Sequence, residues 1–445
     1  MNGAAASDDR PANTRWLPPG LRPPGGMTHR QTVVFLLVGA AALMGGYDTN
    51  VYTFAIPQVQ ASLHIPDDKI GLTVSLIRLA AVPALILAWT ADLVGRRRLL
   101  LFTIVGQAVA TLATSFAQDS AQFIWAQCAT RLFGYAEEML CYVVVAEELA
   151  AAARGWANGT LATMYYLGGG ITAIAFMAVT YLPYGWRALY VIGSIPLFLV
   201  AYLRRYLPET RRFEKLEQEK HERPSRIRNA IAMFRRLMSE HPRRVRTMMI
   251  AIAGYGFAIW PAAYFGQTYM QTTLHMTPVQ TGMAVLTGGA VAAAFNILAG
   301  RLSDWIGRRV VICAACGIAV AGFGTLYSGF RFPYIQYMWG VGFFGFVCAD
   351  SLFAGLSAEI FPTAYRATVS GMRYIVSILA GAVSLALEGP LYNLFGGHGL
   401  ALILLMGTMP IAMLALFWLP EPAGRELEDL AAAPDEDNRQ LPKTG

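Results

Sequence analysis

The feature that most constrains this chain is a series of apolar stretches, each about twenty residues long, broken by short polar connections. Wound as an α-helix, a stretch of that length matches the hydrocarbon core of a bilayer. Within lipid every backbone N–H and C=O must be satisfied inside the segment itself, which such a stretch achieves only as a helix. Twelve candidate spans result, at roughly 31–60, 69–91, 98–117, 121–149, 155–181 and 186–206, then 246–272, 278–300, 309–330, 333–359, 365–393 and 398–419. The expected fold class is an all-α membrane protein. Its domains are a tail (1–30), a six-helix bundle (31–206), a polar linker (207–245), a second bundle (246–420) and a second tail (421–445).

Charge supports this reading and removes others. Only 14% of residues are charged, against about 25% in a soluble domain. The net charge of +7 does not point to nucleic acid, because the arginines flank apolar segments where anionic lipid headgroups would meet them. All five cysteines lie inside apolar stretches, so neither a disulfide framework nor a metal site is expected. The six histidines fall in loops, tails or helix ends, which argues against a haem-bearing oxidoreductase. There is no GxxxxGK[ST] phosphate loop and no nucleophile constellation, so neither ATP-driven work nor enzymatic chemistry is expected, and no cofactor is implied.

Basic residues sort to one side of the expected membrane. Arg96, Arg97, Arg98, Arg154, the cations of 204–246, Arg308, Arg309 and Arg366 share that side, while the other holds Lys69, Arg187 and Arg331. The positive-inside bias then places both termini and the linker in the cytoplasm, in a multi-pass protein of the inner membrane.

An internal repeat is also legible. Asp92-x-x-Gly95-Arg96-Arg97 recurs as Asp304-x-x-Gly307-Arg308-Arg309, an offset of 304 − 92 = 212. Glu147 and Arg154 recur as Glu359 and Arg366, and Leu207-Pro208-Glu209 as Leu419-Pro420-Glu421, each again 212 apart. Copies on the same side of the membrane mean parallel halves related by an axis along the membrane normal, with a substrate path expected between them.

These motifs resemble the major facilitator superfamily over essentially the whole chain from Gln31 to Leu430. Gly300-Arg-Leu-Ser-Asp304-Trp-Ile-Gly307-Arg308-Arg309 is similar to that family's loop signature, and the first copy departs from it with Ala88 in place of Gly. Gly46-Tyr47-Asp48-Thr49, Pro208-Glu209-Thr210-Arg211-Arg212 and the segment from Pro420 to Glu428 resemble proton-coupled sugar porters. Asp48 followed by Pro57 resembles aromatic-acid/proton symporters, and Glu359-Ile-Phe361-Pro362-Thr-Ala-Tyr-Arg366 resembles both groups. The seventh span carries Gly254-Tyr255-Gly256-Phe257 where sugar porters carry a Gln-Gln motif, so organic-acid carriers compete with sugars. The resemblance implies twelve helices in two six-helix bundles and a monomeric secondary transporter of a small metabolite (a sugar, a polyol, or an organic or aromatic acid), working by alternating access with protons.

A charge at the centre of a membrane helix costs about 2.5–3.5 kcal/mol. The chain nevertheless keeps Asp48, Arg78, Arg131, Glu137, Glu138, Asp350, Arg373 and Glu388 inside its spans. Asp48, amid apolar and small residues, is the first candidate for proton coupling. Arg131 and Glu138, seven residues apart, share one helix face, while Glu137 faces elsewhere. Proton coupling and a purely structural ion pair both remain open for these two. The resemblance implies an Asp–Arg pair whose arginine would fall at Gln127, so a displaced Asp48–Arg131 pair is the expectation. Candidate substrate contacts are Arg78, Glu137, Tyr52, Trp260, Tyr264 and Asp350. Arg373 is expected to snorkel to headgroups, and Glu388 to be solvated near a helix end.

By the same resemblance Asp92, Arg96, Glu147, Arg154, Asp304, Arg308, Glu359 and Arg366 form a cytoplasmic gate, pairing Asp92 with Arg96, Asp304 with Arg308, Glu147 with Arg154 and Glu359 with Arg366. A proton-driven exporter or uniporter of amphipathic compounds is the alternative function, and a non-transporting membrane receptor the second.

Overall fold

A computed structural model describes residues 23, 26–149, 151–205, 226–330, 332–362 and 365–422. Most of the two tails, residues 206–225 of the linker region and the side chain of Asp92 lie outside the described residues. The described elements are α-helices joined by short turns, as expected for an all-α membrane protein. Eleven of the described spans are long and apolar enough to cross a membrane. A further helix, Ser120–Glu148, has 29 residues but carries Arg131, Glu137 and Glu138, too polar a content for a span judged on hydropathy alone.

The chain divides into two compact units, Met1–His64 with Ile77–Glu222, and Ile65–Leu76 with Arg223–Gly445. In chain order the helices are α1 (His29–Leu63), α2 (Ile70–Leu79, which straddles the division), α3 (Ala81–Trp89), α4 (Ala91–Val94), α5 (Arg96–Ser115), α6 (Ser120–Glu148), α7 (Ala151–Met177) and α8 (Trp186–Arg204). The second series is α9 (Arg226–Glu240), α10 (Pro242–Thr272), α11 (Pro278–Ile306), α12 (Arg308–Tyr327), α13 (Met338–Glu359), α14 (Arg366–Phe395), α15 (His398–Met406) and α16 (Met409–Leu416).

In the first unit the register of α1 is set by local chemistry. Thr28 caps its first turn: the hydroxyl accepts from the Gln31 amide at 3.3 Å while the Gln31 side chain accepts from the Thr28 amide at 3.0 Å. Further along, α1 and α7 touch backbone to backbone. A Cβ on Gly46 would stand 1.9 Å from the Tyr165 carbonyl oxygen, and one on Gly168 would stand 1.9 Å from that of Leu43. Between helices in a membrane, where lipid supplies no hydrophobic drive to associate, such close approach is a main source of adhesion. It also fixes the rotation of α1. Gly46 faces α7, the Tyr47 hydroxyl donates to the Leu189 carbonyl of α8 at 2.9 Å, and Asp48 is left to face α5. A Gly168→Leu substitution is therefore expected to destabilise the protein by about 1–3 kcal/mol or more, read as a fall in detergent melting temperature.

In the second unit small residues do the same work. A Cβ on Gly322 of α12 would stand 2.2 Å from the Gly342 amide nitrogen of α13, and one on Gly288 of α11 would stand 2.6 Å from the Gly340 Cα. The two repeat copies start their basic-end helices alike. Gly95 (φ 100°) and Gly307 (φ 118°) precede α5 and α12 in a conformation that side-chain-bearing residues rarely adopt. That is why glycine stands at the same place in both motifs. Glu421 then accepts from the amides of Arg308 (2.7 Å) and Arg309 (3.1 Å), meeting the positive N-terminus of α12 with a carboxylate.

Candidate functional site

The polar centre of the first unit is built around Asp48, which is 1% exposed. α5 presents Gln107 and Thr111 to it, four residues apart and so on one face. Thr111 Oγ1 donates to the carboxylate at 3.0 Å and Gln107 Nε2 at 3.5 Å. From α6, Arg131 Nη1 lies 3.9 Å from Asp48 Oδ2. The guanidinium is held more tightly by its other partners: Nη1 donates to Thr49 Oγ1 at 2.7 Å, and Nη2 to the carbonyls of Asp48 and Thr49, each at 3.2 Å. Arg131 is thus anchored to the α1 backbone and offers its charge to Asp48 without a close two-point grip. A carboxylate so held is neutralised in place yet leaves room for a competing proton or anion.

The expected displaced pair is therefore present. Gln127, one turn away, is fully buried and donates to Thr114 Oγ1 at 3.1 Å instead.

Beside this pair is a cavity whose lining includes Thr49, Gln107, Arg131, Glu137, Glu138 and Tyr165. Glu138 reaches it with no hydrogen bond or ion pair to its carboxylate among the described residues. Glu137, expected on another face of α6, lines the same cavity, and its carboxylate is held in a buried ion pair with Arg204 at the end of α8. Thr103 also donates to it, and Cys141 Sγ lies 3.5 Å away. Arg204 sorts with the linker cations by position in the sequence, yet it is fully buried. The clue available was its place in the last turn of an apolar span. The stripe Thr103, Gln107, Thr111 and Thr114 on α5 belongs to the site too, and its three- and four-residue spacing in an apolar span marks one inward face.

The remaining candidates are dispersed. Arg78 and Tyr52 are buried in the first unit and do not line the cavity; the Tyr52 ring packs 5.8 Å from Phe123. In the second unit Trp260 Nε1 donates to Ser377 Oγ at 2.9 Å, and its ring lies 6.0 Å from Tyr264 and 5.3 Å from Phe346. Asp350, the repeat equivalent of Glu138, forms an ion pair with Arg373 at 3.4 Å, so Arg373 has a carboxylate partner inside the unit instead of a bare headgroup contact. Glu388 departs most from expectation. It is 0% exposed, because residues 65–76 cover it, and its carboxylate lies 2.5 Å from His398 Nδ1.

At the basic ends the two repeats make the same clamp. Arg96 Nε and Nη2 donate to Glu147 at 3.1 and 2.8 Å, and Arg308 Nε and Nη2 donate to Glu359 at 3.0 and 2.9 Å. Asp304 joins the second clamp, 2.7 Å from Arg308. Glu147 thus pairs with Arg96 and not with Arg154, whose Nε donates to the Leu149 carbonyl at 3.2 Å. Glu359 likewise pairs with Arg308, and Arg366 is half-buried without an ion pair among the described residues. The physical reason is reach: the two-point fork of arginine matches a carboxylate presented by the neighbouring helix, whereas residues seven apart across a helix break do not face each other.

A model of the Major Facilitator Superfamily matches residues 38–384 and, in a second alignment, 248–437. The chain belongs to this superfamily and is a multi-pass membrane transporter. It is 24% identical to a probable 4-methylmuconolactone transporter of Cupriavidus pinatubonensis over 88% of this chain and 90% of that protein. It is 23% identical to the cis,cis-muconate transport protein of Acinetobacter baylyi over 81% of this chain and 88% of the other. Among solved structures the fold is similar to the inward-open xylose transporter XylE from E. coli, with a TM-score of 0.70, 16% identity, and 90% and 99% of the two chains covered.

Proposed function

We propose that this protein is a proton-coupled symporter of a small unsaturated or aromatic organic acid, working by alternating access in the inner membrane with both termini in the cytoplasm. The observation that carries the reading is the buried Asp48–Arg131 pair, whose arginine lines a cavity together with Glu138, a carboxylate with no hydrogen bond or ion pair among the described residues. Asp48 would take up a proton when Arg131 turns its charge toward an incoming carboxylate, and release it when that anion leaves. Guanidinium suits this exchange because it binds either carboxylate with the same geometry. Glu138 would hold a second polar end of the solute or relay the proton. The tyrosines of the lining, Tyr135 and Tyr165, give a planar acid both an aromatic face and hydroxyl groups.

The relatives named for 4-methylmuconolactone and cis,cis-muconate support an acid over a sugar, as does the absence of a Gln-Gln pair at Gly254-Tyr255. The domain reading of two six-helix bundles flanking a linker, with the Arg96–Glu147 and Arg308–Glu359 clamps as gate elements that remake during the cycle, belongs to the same proposal.

Counterflow in proteoliposomes tests the substrate class. cis,cis-Muconate, 4-methylmuconolactone, benzoate and xylose would be offered in turn to vesicles preloaded with the same compound. Exchange of the acids is expected. Exchange of xylose alone would overturn the acid reading, and binding without flux of any of the four would mark a receptor.

A further inference from the structure

We propose that Glu388 and His398 form a second proton-binding site, carried by the second unit, whose occupancy sets how firmly residues 65–76 are seated on α14. The inference stands on geometry in that unit and does not depend on the role given to Asp48.

One face of α14 is laid against residues 67–75 in close, regular steps. Ser75 Oγ donates to the Ala382 carbonyl at 2.7 Å. A Cβ on Gly71 would stand 2.3 Å from the Leu385 carbonyl oxygen and 2.9 Å from Glu388 Oε2. A Cβ on Gly389 would stand 2.0 Å from the Asp68 carbonyl oxygen. Beyond these, the Tyr392 hydroxyl donates to Asp67 at 3.1 Å, and Asn393 Nδ2 to Asp68 at 3.3 Å. The spacing 382, 385, 388/389, 392/393 keeps every contact on one side of the helix. Glu388 sits in the middle of that seam, directly beneath Gly71.

The carboxylate has one described partner. Its Oε1 lies 2.5 Å from His398 Nδ1, while Oε2 is buried with no hydrogen-bond partner. Tyr392 and Phe265 enclose the imidazole, with ring centroids 4.5 and 5.1 Å away. The titratable and charged groups facing the pair are few. Tyr392 comes from α14 itself, Tyr269 comes from α10 with its hydroxyl beside Gly399, and Asp67, Asp68 and Lys69 stand at the head of the covering segment. α15 contributes no titratable group except His398.

In so enclosed a place a net charge is costly. With one proton the pair is neutral overall, either as carboxylate and imidazolium or as carboxylic acid and imidazole. Without it, Glu388 is a buried anion under Gly71, with the Leu385 carbonyl oxygen and the Asp67 and Asp68 carboxylates nearby and Lys69 as the cation of the segment. Relief comes by lifting residues 65–76 and admitting water. Seating and proton binding therefore favour each other: the buried seam accommodates the pair better with its proton than without it.

Hydrogen exchange of the full chain in lipid nanodiscs tests this. After correction for intrinsic rates, exchange of residues 65–76 is expected to be roughly tenfold or more faster at the alkaline end of a pH series than at its acid end. Glu388→Gln keeps a hydrogen-bonding partner for His398 without the charge and should flatten that profile, as should His398→Gln. Asp48→Asn should leave it as in the wild type. If a single variant fails to fold, the double substitution Glu388→Met with His398→Leu carries the same expectation of a flat profile. A wild-type-like rise in Glu388→Gln, or in the folded double variant, overturns the site. A profile flattened equally by Asp48→Asn overturns its independence.

Discussion

Asp48→Asn should abolish accumulation driven by a pH gradient while leaving counterflow intact. A symporter moving one proton per solute can concentrate that solute up to about tenfold for each unit of pH difference, since one unit is worth about 1.36 kcal/mol. The variant should equilibrate its substrate and go no further. Asparagine is close to isosteric with aspartate and keeps one oxygen to accept from Thr111, while Arg131 keeps Thr49 and its two backbone carbonyls. The cavity should therefore survive and only the titration disappear. Uptake of labelled cis,cis-muconate with and without an inside-alkaline gradient reads both quantities in one preparation. Undiminished gradient-driven accumulation in the variant would remove Asp48 as the coupling group.

Glu137→Ala should be the most destabilising single substitution in the first unit, at about 3–5 kcal/mol, because it strands the fully buried Arg204 without its carboxylate. The expected sign of the double substitution Glu137→Ala with Arg204→Met is opposite. With both charges gone, most of the loss should be recovered, since a well-packed apolar pair replaces a buried ion pair at little or no cost. Melting temperatures of the two single variants and the double, measured in one detergent, decide this. A double variant as unstable as the singles would mean that Glu137 acts through Thr103 or Cys141 instead.

The membrane class, the repeated motifs and the polar surroundings of Asp48 were legible because each rests on a cost the sequence cannot hide. Long apolar runs have one fold in lipid, a shared offset of 212 residues is hard to reach by chance, and a carboxylate in a span must face something polar. What was not legible depends on contacts between distant segments. Arg204 looks like its linker neighbours until α8 places it against Glu137, which is 67 residues away in sequence. Glu388 looks like a helix-end carboxylate until residues 65–76 cover it. Glu147 lies seven residues from Arg154, yet its partner is Arg96, which is 51 residues earlier. The α5 stripe is the exception: its spacing alone marked an inward face, and its polar residues meet both buried carboxylates, Asp48 and Glu137.

Proton movement caused by substrate is the most direct test of the central claim. De-energised proteoliposomes in weak buffer would receive cis,cis-muconate while external pH is recorded. The account predicts alkalinisation outside as protons enter with the acid, abolished by protonophore and absent with Asp48→Asn. Substrate exchange by the wild-type protein with no accompanying change in pH would contradict it.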